Sequence, residues 1–426
     1  MDYQFPLDAV TFWQRPRADP SETRNLRDRQ ARKLIRHAWD NAPYYCRLME
    51  RAGVRPGRIR TAEDLSLLPT TTKRDRQETP LRDRLARGID PTVCERLRTS
   101  GSTGEPDEII RTRWEKQLLL AFQIRSVMQL GAQPSDCVVT VGVADQQPTW
   151  LHRAGFFATT KLDPSMEPQR MLSELLRLRP EIVRTRPNIT ELILAEDTHK
   201  RLRDIGTKMV FSGSEMMTSA TRRRIEDAFG VPVFDMYGAH EFHLVAWECP
   251  QCGCFHTVDD SVYIEILKDG HPTSPGEEGQ VVGTALHSFA MPLIRVEMGD
   301  MASRPTELKC CPFSFERIER LHGRSSEYIH LSRGRLIRPS AIFRFFSRIA
   351  GLARFQVVQT ERDRIVVNLQ LLSRAGADMR DEVESRSGEI FPEDVALEVR
   401  IVQRIDPGPR EKHRYVRALD RDRSEK

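Results

Sequence analysis

Apolar residues recur at helical spacing through 20–40, where Leu26, Ala31, Leu34, Ile35 and Ala38 fall on one face behind a capping Ser21. Asn41-Ala42-Pro43 interrupts the pattern, and a second short helix over 44–52 ends at Gly53. Thr61-Ala62-Glu63-Asp64-Leu65 is a capping signal before another turn, and Leu68-Pro69-Thr70-Thr71-Thr72-Lys73 breaks the pattern again. This section reads as a helical lead-in. After an amphipathic helix over 114–128, short β-rich runs at 137–143, 181–184, 208–211 and 231–236 alternate with helices over 171–178, 190–195 and 219–229. That alternation predicts a parallel α/β core with polar loops after the carboxyl ends of its strands, where open α/β sheets bind ligands.

From Val262 the rhythm changes. Strands over 262–267, 279–285 and 293–297 are joined by turns at Lys268-Asp269-Gly270, Ser274-Pro275-Gly276 and His287-Ser288. Two short strands at 326–331 and 334–337 surround Ser332-Arg333-Gly334. A helix over 340–349, strands at 355–359 and 364–371, a helix over 374–387 and a strand at 395–402 then lead to a basic tail. The expected fold class is α/β. A large N-terminal α/β domain with a β-rich subdomain (1–322) precedes a small α+β C-terminal domain (323–426).

Composition narrows the class of protein. Hydrophobic residues make up 39% and charged residues 30% of 426, which is globular rather than disordered. The apolar runs 118–122 and 137–143 are far too short to span a bilayer. Residues 1–20 have no apolar core flanked as in a signal peptide, so a cytoplasmic location is expected, with no membrane partner. The net charge of +5 comes from arginines mixed with acids, as in Thr221-Arg222-Arg223-Arg224-Ile225-Glu226-Asp227. No basic stripe is interleaved with aromatics, so no nucleic-acid partner is expected, whereas a small anionic substrate suits the mild positive balance.

Candidate chemistry concentrates in loops. Arg98-Thr99-Ser100-Gly101-Ser102-Thr103-Gly104-Glu105-Pro106 packs glycines and hydroxyls into a loop suited to wrapping phosphate oxygens, without the Gly-Lys-Ser/Thr ending of a P-loop. Ser212-Gly213-Ser214-Glu215 and Tyr237-Gly238-Ala239-His240-Glu241 each follow a predicted strand. Pro292-Leu293-Ile294-Arg295 leads to Met298-Gly299-Asp300, and Gly323-Arg324-Ser325-Ser326-Glu327 precedes Arg333-Gly334, Pro339 and Ile342. In this order the segments resemble, respectively, the phosphate loop, adenine-side loop, Tyr-Gly-x-x-Glu motif, ribose segment, hinge and C-terminal domain opening of adenylate-forming enzymes. Asn41-Ala42-Pro43-Tyr44-Tyr45, Asp64-Leu65, Leu68-Pro69 and Thr72-Lys73 are similar to the N-terminal section of the phenylacetate–CoA ligase branch. The resemblance runs from about Leu34 to about Val416.

The resemblance implies ATP-dependent activation of an organic, aromatic acid as an acyl-adenylate, then transfer to CoA. A carrier-protein thiol or an amine is the alternative acceptor, and a non-catalytic nucleotide-binding relative is a second class. Thr99, Ser100, Gly101, Ser102, Thr103 and Gly104 would hold the phosphates, and Glu241 would be a hard oxygen ligand for Mg²⁺. Asp300 would accept from the ribose hydroxyls, Tyr237 would stack on adenine within Tyr237-Gly238-Ala239-His240, Ser214 and Glu215 would line its edge, and Asp235 would receive its amino group. Arg324 reaches phosphate or ribose near the hinge about which the C-terminal domain rotates. His240 reads as a pocket wall and His243 as structural. Trp150, Phe156 and Phe157, with His152 and Arg153, make the candidate acyl pocket over 141–157. A homodimer is compatible with the resemblance.

Three positions depart from the family pattern. Glu105 stands where a lysine is usual, Ser326-Glu327 replaces paired acids, and Glu411-Lys412-His413-Arg414 replaces a Gly-Lys pair. Lys412 is the candidate adenylation lysine and is equally readable as a solvated charge. Of eight cysteines, five fall in two clusters, Cys249-Pro250-Gln251-Cys252-Gly253-Cys254 with His256, and Cys310-Cys311. Cys-x-x-Cys-Gly turns two thiolates toward one point, so Cys249, Cys252, His256, Cys310 and Cys311 are candidate ligands of a structural zinc, with more donors than four tetrahedral positions need.

Overall fold

The computed structural model describes residues 9–98, 107–142, 155–307, 309–349, 351–371, 378–405 and 414–419. The chain forms two compact units, one of Met1–Pro134 with Met236–Leu321 and one of Ser135–Asp235 with His322–Lys426.

In the first unit the helical lead-in is real. Helix Pro20–Asn41 begins on Asp19, whose carboxylate accepts from the Ser21 N–H, and stops at Ala42 before Pro43 opens the helix Pro43–Arg51. Asp19, rather than Ser21, is therefore the cap. The buried face Ala31, Leu34, Ile35 and Ala38 packs with Tyr45, Leu48 and Leu65 against Tyr263, Leu286, Phe289 and Ile294. The β-rich segment is a sheet in the order His271–Pro272, Val262–Lys268, Glu278–Ala285, Val296–Ser303, each strand antiparallel to the next. Sequence pattern placed its third strand at 293–297; it begins instead at Val296 and runs to Ser303. Arg295, at φ 49°, breaks the extended run, and its buried guanidinium bonds both oxygens of Glu265 at 3.0 Å and the carbonyl of Leu68. Thr71 then joins Val296 in a parallel bridge, tying the lead-in to this sheet.

A second buried pair fixes the unit's other side. Helix Arg113–Gln129, opened by the Thr112–Glu115 capping box, carries Arg125, which donates to both oxygens of Asp260 at 2.7 and 2.6 Å. The guanidinium also lies against the rings of Phe12, Phe122 and Phe315.

In the second unit, Thr159–Leu162, Val138–Val141, Ile182–Thr185 and Met209–Gly213 lie side by side, all parallel. Helices Pro168–Leu178, Pro187–Glu196 and Ser219–Phe229 cover them through Leu172, Leu175, Ile193, Ile225 and Phe229. This is the predicted α/β alternation. Strand Thr159–Leu162 was absent from the sequence reading because Thr-Thr-Lys-Leu offers little apolar alternation. The C-terminal segment builds a sheet in the order Ala396–Ile401, Arg364–Leu371, Leu352–Glu361, Val416–Arg417. Phe343, Phe346, Phe355, Val357, Val367 and Tyr415 form its core, with Met216 packed against them. Arg354, buried, donates from Nη2 to the Asn188 carbonyl at 2.7 Å, so this segment is joined to helix Pro187–Glu196 within the same unit.

The Arg125–Asp260 pair generates a stability prediction. Arg125→Met leaves a buried carboxylate without its cation, and the expected loss is about 3–5 kcal/mol in urea unfolding. A loss below about 1 kcal/mol would mean that Asp260 finds another partner.

Candidate active site

Strand Val233–Ala239 carries the Tyr-Gly-x-x-Glu motif into a tight turn. Its Met236–Ala239 part pairs antiparallel with His243–Glu248, which continues to Phe255–Thr257 and Arg317–Ile318. This antiparallel extension was not legible from the sequence. The turn requires glycine at 238, because a Cβ there would sit 2.5 Å from the His243 carbonyl oxygen. His243 itself takes φ 65° to close the turn.

Tyr237 Oη donates to Asp300 Oδ2 at 2.8 Å, joining two motifs 63 residues apart in the chain. Asp300 lies inside strand Val296–Ser303, half-buried, rather than in a free turn. The companion Arg295 of that segment is committed to Glu265 as described above. Glu241 closes the motif, and its Oε1 accepts from Arg76 Nη2 at 2.9 Å. Arg76 also donates from Nε to Asp107 Oδ2 at 2.8 Å, and Arg84 donates to Asp107 Oδ1 at 3.2 Å. Arg111, almost wholly buried, donates to the His240 carbonyl at 2.5 Å. Burial pulls the Arg111 pKa down, and Glu95, Glu115 and Glu241 oppose that fall. Sequence reading missed Arg76, Arg84, Asp107 and Arg111. The available signals were Asp107 directly after the glycine-hydroxyl loop and Arg76 on the helix Lys73–Glu78, whose start is fixed by the Thr72–Asp75 capping box.

In the second unit, Ser214 adopts φ 69° after strand Met209–Gly213. The Glu215 side chain is 1% exposed, with Arg186 Nη1 3.6 Å away. Asp235 is half-buried. Arg324 is exposed, and its N–H donates to Glu327 Oε2 at 3.4 Å. Glu327, the departure from the hinge pattern, thus caps the 3-10 turn Ser325–Glu327. Gly323 takes φ 98°, where a Cβ would press on Pro339 at 3.0 Å. Phe157 is buried and Phe156 exposed. Thr99, Ser100, Gly101, Ser102, Thr103, Gly104 and Glu105 lie outside the described residues, as do Trp150, His152, Arg153 and Lys412. The strands flanking the glycine-hydroxyl loop, Glu95–Arg98 and Glu108–Arg111, pair antiparallel with Arg98 opposite Glu108.

The thiol clusters converge. Cys249, Cys252, His256 and Cys311 place their donor atoms within 4.8 Å of one another. Cys249 Sγ lies 3.6 Å from Cys311 Sγ, and His256 Nε2 lies 3.2 Å from Cys311 Sγ and 3.6 Å from Cys252 Sγ. Spacings of this order suit tetrahedral bonds of about 2.3 Å to sulfur. His256 Nδ1 is 3.0 Å from the Phe315 carbonyl, which fixes the ring and turns Nε2 to the thiols. Burial pushes the Cys249 thiol up to about 12 and the His256 imidazolium down to about 4. Cys310 is exposed and outside this group, and Cys254 Sγ lies against the Cys252 carbonyl.

Known proteins share much of this chain. It is 28% identical over 349 residues to the phenylacetate–coenzyme A ligase of Escherichia coli (strain K12), covering 76% of this chain and 77% of that protein. It is 26% identical over 396 residues to the phenylacetate–coenzyme A ligase of Pseudomonas putida, covering 85% and 86%. The chain is a homologue of the phenylacetate–CoA ligases. A solved structure of 2-hydroxyisobutyryl-CoA ligase, in the postadenylation state with 2-HIB-AMP, superposes with a TM-score of 0.82 at 20% identity, covering 99% of this chain and 97% of that one. This phenylacetate–CoA ligase homologue therefore has the α/β fold of the adenylate-forming CoA ligases, as its loops implied. No family model matches it.

The motif turn carries its own test. Gly238→Ala forces the His243 carbonyl to move, with an expected stability loss of about 1–3 kcal/mol by urea unfolding. An unchanged midpoint would show that the turn opens freely.

Proposed function

We propose that the protein is an AMP-forming acid–CoA ligase that activates an organic carboxylic acid with ATP. A carboxylate oxygen attacks the α-phosphorus, the bond to the bridging oxygen breaks, and pyrophosphate leaves. The CoA thiol then loses its proton and attacks the acyl carbon, forming the thioester and releasing AMP. The observation that carries this reading is the Tyr237–Asp300 hydrogen bond, which joins the two nucleotide motifs in a homologue of CoA ligases. It fixes the Asp300 carboxylate, which would accept from the ribose hydroxyls. Tyr237 would stack on adenine, with Ala239 and His240 in the same motif, and Ser214, Glu215 and Asp235 would line the base edge. The loop Thr99–Gly104 cradles phosphates, while Arg324 and Lys412 act from the 323–426 segment, which turns about the hinge between half-reactions.

Glu241 fits a divalent metal. One of its oxygens is held by Arg76, the other has no hydrogen bond among the described residues, and the side chain is partly exposed. Mg²⁺ bound there would neutralise charge on the leaving phosphates. An aryl acid is the substrate class favoured by the names of the homologues, and CoA is favoured over a carrier protein or amine on the same ground. A cytoplasmic site of action and a homodimer belong to the same reading. Among the described residues no helix is long and apolar enough to cross a membrane.

Cys249, Cys252, His256 and Cys311 fit a structural zinc, since four buried or half-buried soft donors fill a tetrahedron and leave no position for water. The site would clip the Phe255–Thr257 and Arg317–Ile318 strands together.

Pyrophosphate release from ATP and Mg²⁺ is expected with one acid of an aryl panel and not without acid. Glu241→Gln should slow it by about a hundredfold. Release that ignores the acid, or an unimpaired Glu241→Gln, would contradict the reading. Elemental analysis should find one zinc per chain, and Cys252→Ser should lose it and lower the melting temperature by about 5 °C or more. A metal-free protein of undiminished stability would contradict the zinc assignment.

A further inference from the structure

Arg76 is buried to 2% relative exposure, yet it is a cation on a six-residue surface helix far from Glu241 in sequence. Three separate segments meet on its guanidinium. Its own helix Lys73–Glu78 supplies it, Asp107 stands directly after the glycine-hydroxyl loop, and Glu241 ends the Tyr-Gly-x-x-Glu motif. The two acids are not held alike. The Asp107 side chain is fully buried, and it takes Nε at 2.8 Å and Nη2 at 2.7 Å on one oxygen, with Arg84 on the other. Glu241 is 16% exposed and takes a single bond, on Oε1, from the same Nη2. Asp107 therefore fixes the guanidinium plane, and the plane fixes the carboxylate of Glu241 by one oxygen only. Arg76 Nη1 is buried and carries no hydrogen bond among the described residues. The fork is thus not saturated by the described residues. A cation kept to neutralise Asp107 alone would be redundant, because Arg84 already bonds that carboxylate.

We infer that Arg76 is a positioning residue for metal binding: anchored by Asp107, it fixes Glu241 through Oε1 so that Oε2 is presented to the divalent cation that accompanies ATP. This rests on the reading of Glu241 as the metal carboxylate. A carboxylate with its rotamer set in advance binds a hard cation without first losing side-chain freedom, and a charge-assisted bond is the strong way to set it. A positive charge beside a metal ligand also weakens its hold on the cation, so the geometry here matters: the bond occupies one oxygen and leaves the other without a hydrogen bond among the described residues.

The probe is Mn²⁺ in the presence of α,β-methylene-ATP, with the dissociation constant read from the free-ion electron paramagnetic resonance signal. No turnover is needed. Arg76→Met is expected to raise the Mn²⁺ dissociation constant about tenfold, the scale of one lost charge-assisted bond, while leaving metal-free binding of the analogue within about twofold. Arg84→Met removes a bond to Asp107 without touching Glu241, and is expected to shift the Mn²⁺ constant by less than about twofold even where it lowers stability. Glu241→Gln provides the reference. An Mn²⁺ constant raised in Glu241→Gln but unchanged in Arg76→Met would overturn the positioning role alone. An equal rise in Arg84→Met and Arg76→Met would also overturn it, since that is the signature of general loosening. An unchanged constant in Glu241→Gln would remove the metal reading and this inference with it. If Arg76→Met does not fold, Arg76→Gln, which keeps a buried donor without the charge, is read by the same two outcomes.

Discussion

A guanidinium taken out of water must be met by anions and acceptors, and in the first unit that requirement organises the motif region. Arg76 cannot be buried unless Asp107 and Glu241 come to it, and Arg84 then shares Asp107. Arg111 repeats the logic on the backbone, holding the His240 carbonyl beside Glu241. Arg295 and Arg125 do so elsewhere in the unit, with Glu265 and Asp260. An arginine-rich chain has thus turned part of its charge inward. Each of these pairs joins segments distant in sequence, so they specify which loop meets which.

The fold was largely legible because strand and helix periods alternate cleanly after residue 137, and because loops with special backbone needs follow the strands. Gly238 and Gly323 stand where a side chain would clash, and that sterically enforced choice is what makes such motifs readable. The unread parts share a cause. The Thr159–Leu162 strand is polar, and the antiparallel run from Tyr237 through Trp247 to His256 looked like motif and knuckle rather than sheet. Strand Val296–Ser303 was placed too early because Leu293 and Ile294 are apolar, whereas Arg295 at positive φ keeps them out of it.

The candidate site divided the same way. Tyr237, Asp300 and Glu241 stood out as candidates from residue type and order, but Arg76 did not, since the Glu241 it bonds lies 165 residues away. Among the paired cysteines, spacing could not choose between Cys310 and Cys311. The structure brings Cys311 to the cluster and leaves Cys310 at the surface, because Phe313 and Phe315 are buried beside Trp247 and His256 and fix the register of that segment. Chemistry that depends on local pattern can be read from a chain, while chemistry that depends on long-range charge pairing needs the fold.

In the proposed reaction ATP goes into an acyl-adenylate that CoA then consumes. The direct measurement is mass spectrometry of small molecules released from the denatured protein after incubation with ATP, Mg²⁺ and an active acid, first without CoA and then with it. An acyl-AMP mass is expected in the first sample, with acyl-CoA and AMP replacing it in the second. ADP and phosphate as the nucleotide products, or a thioester formed with no AMP ester before it, would contradict it.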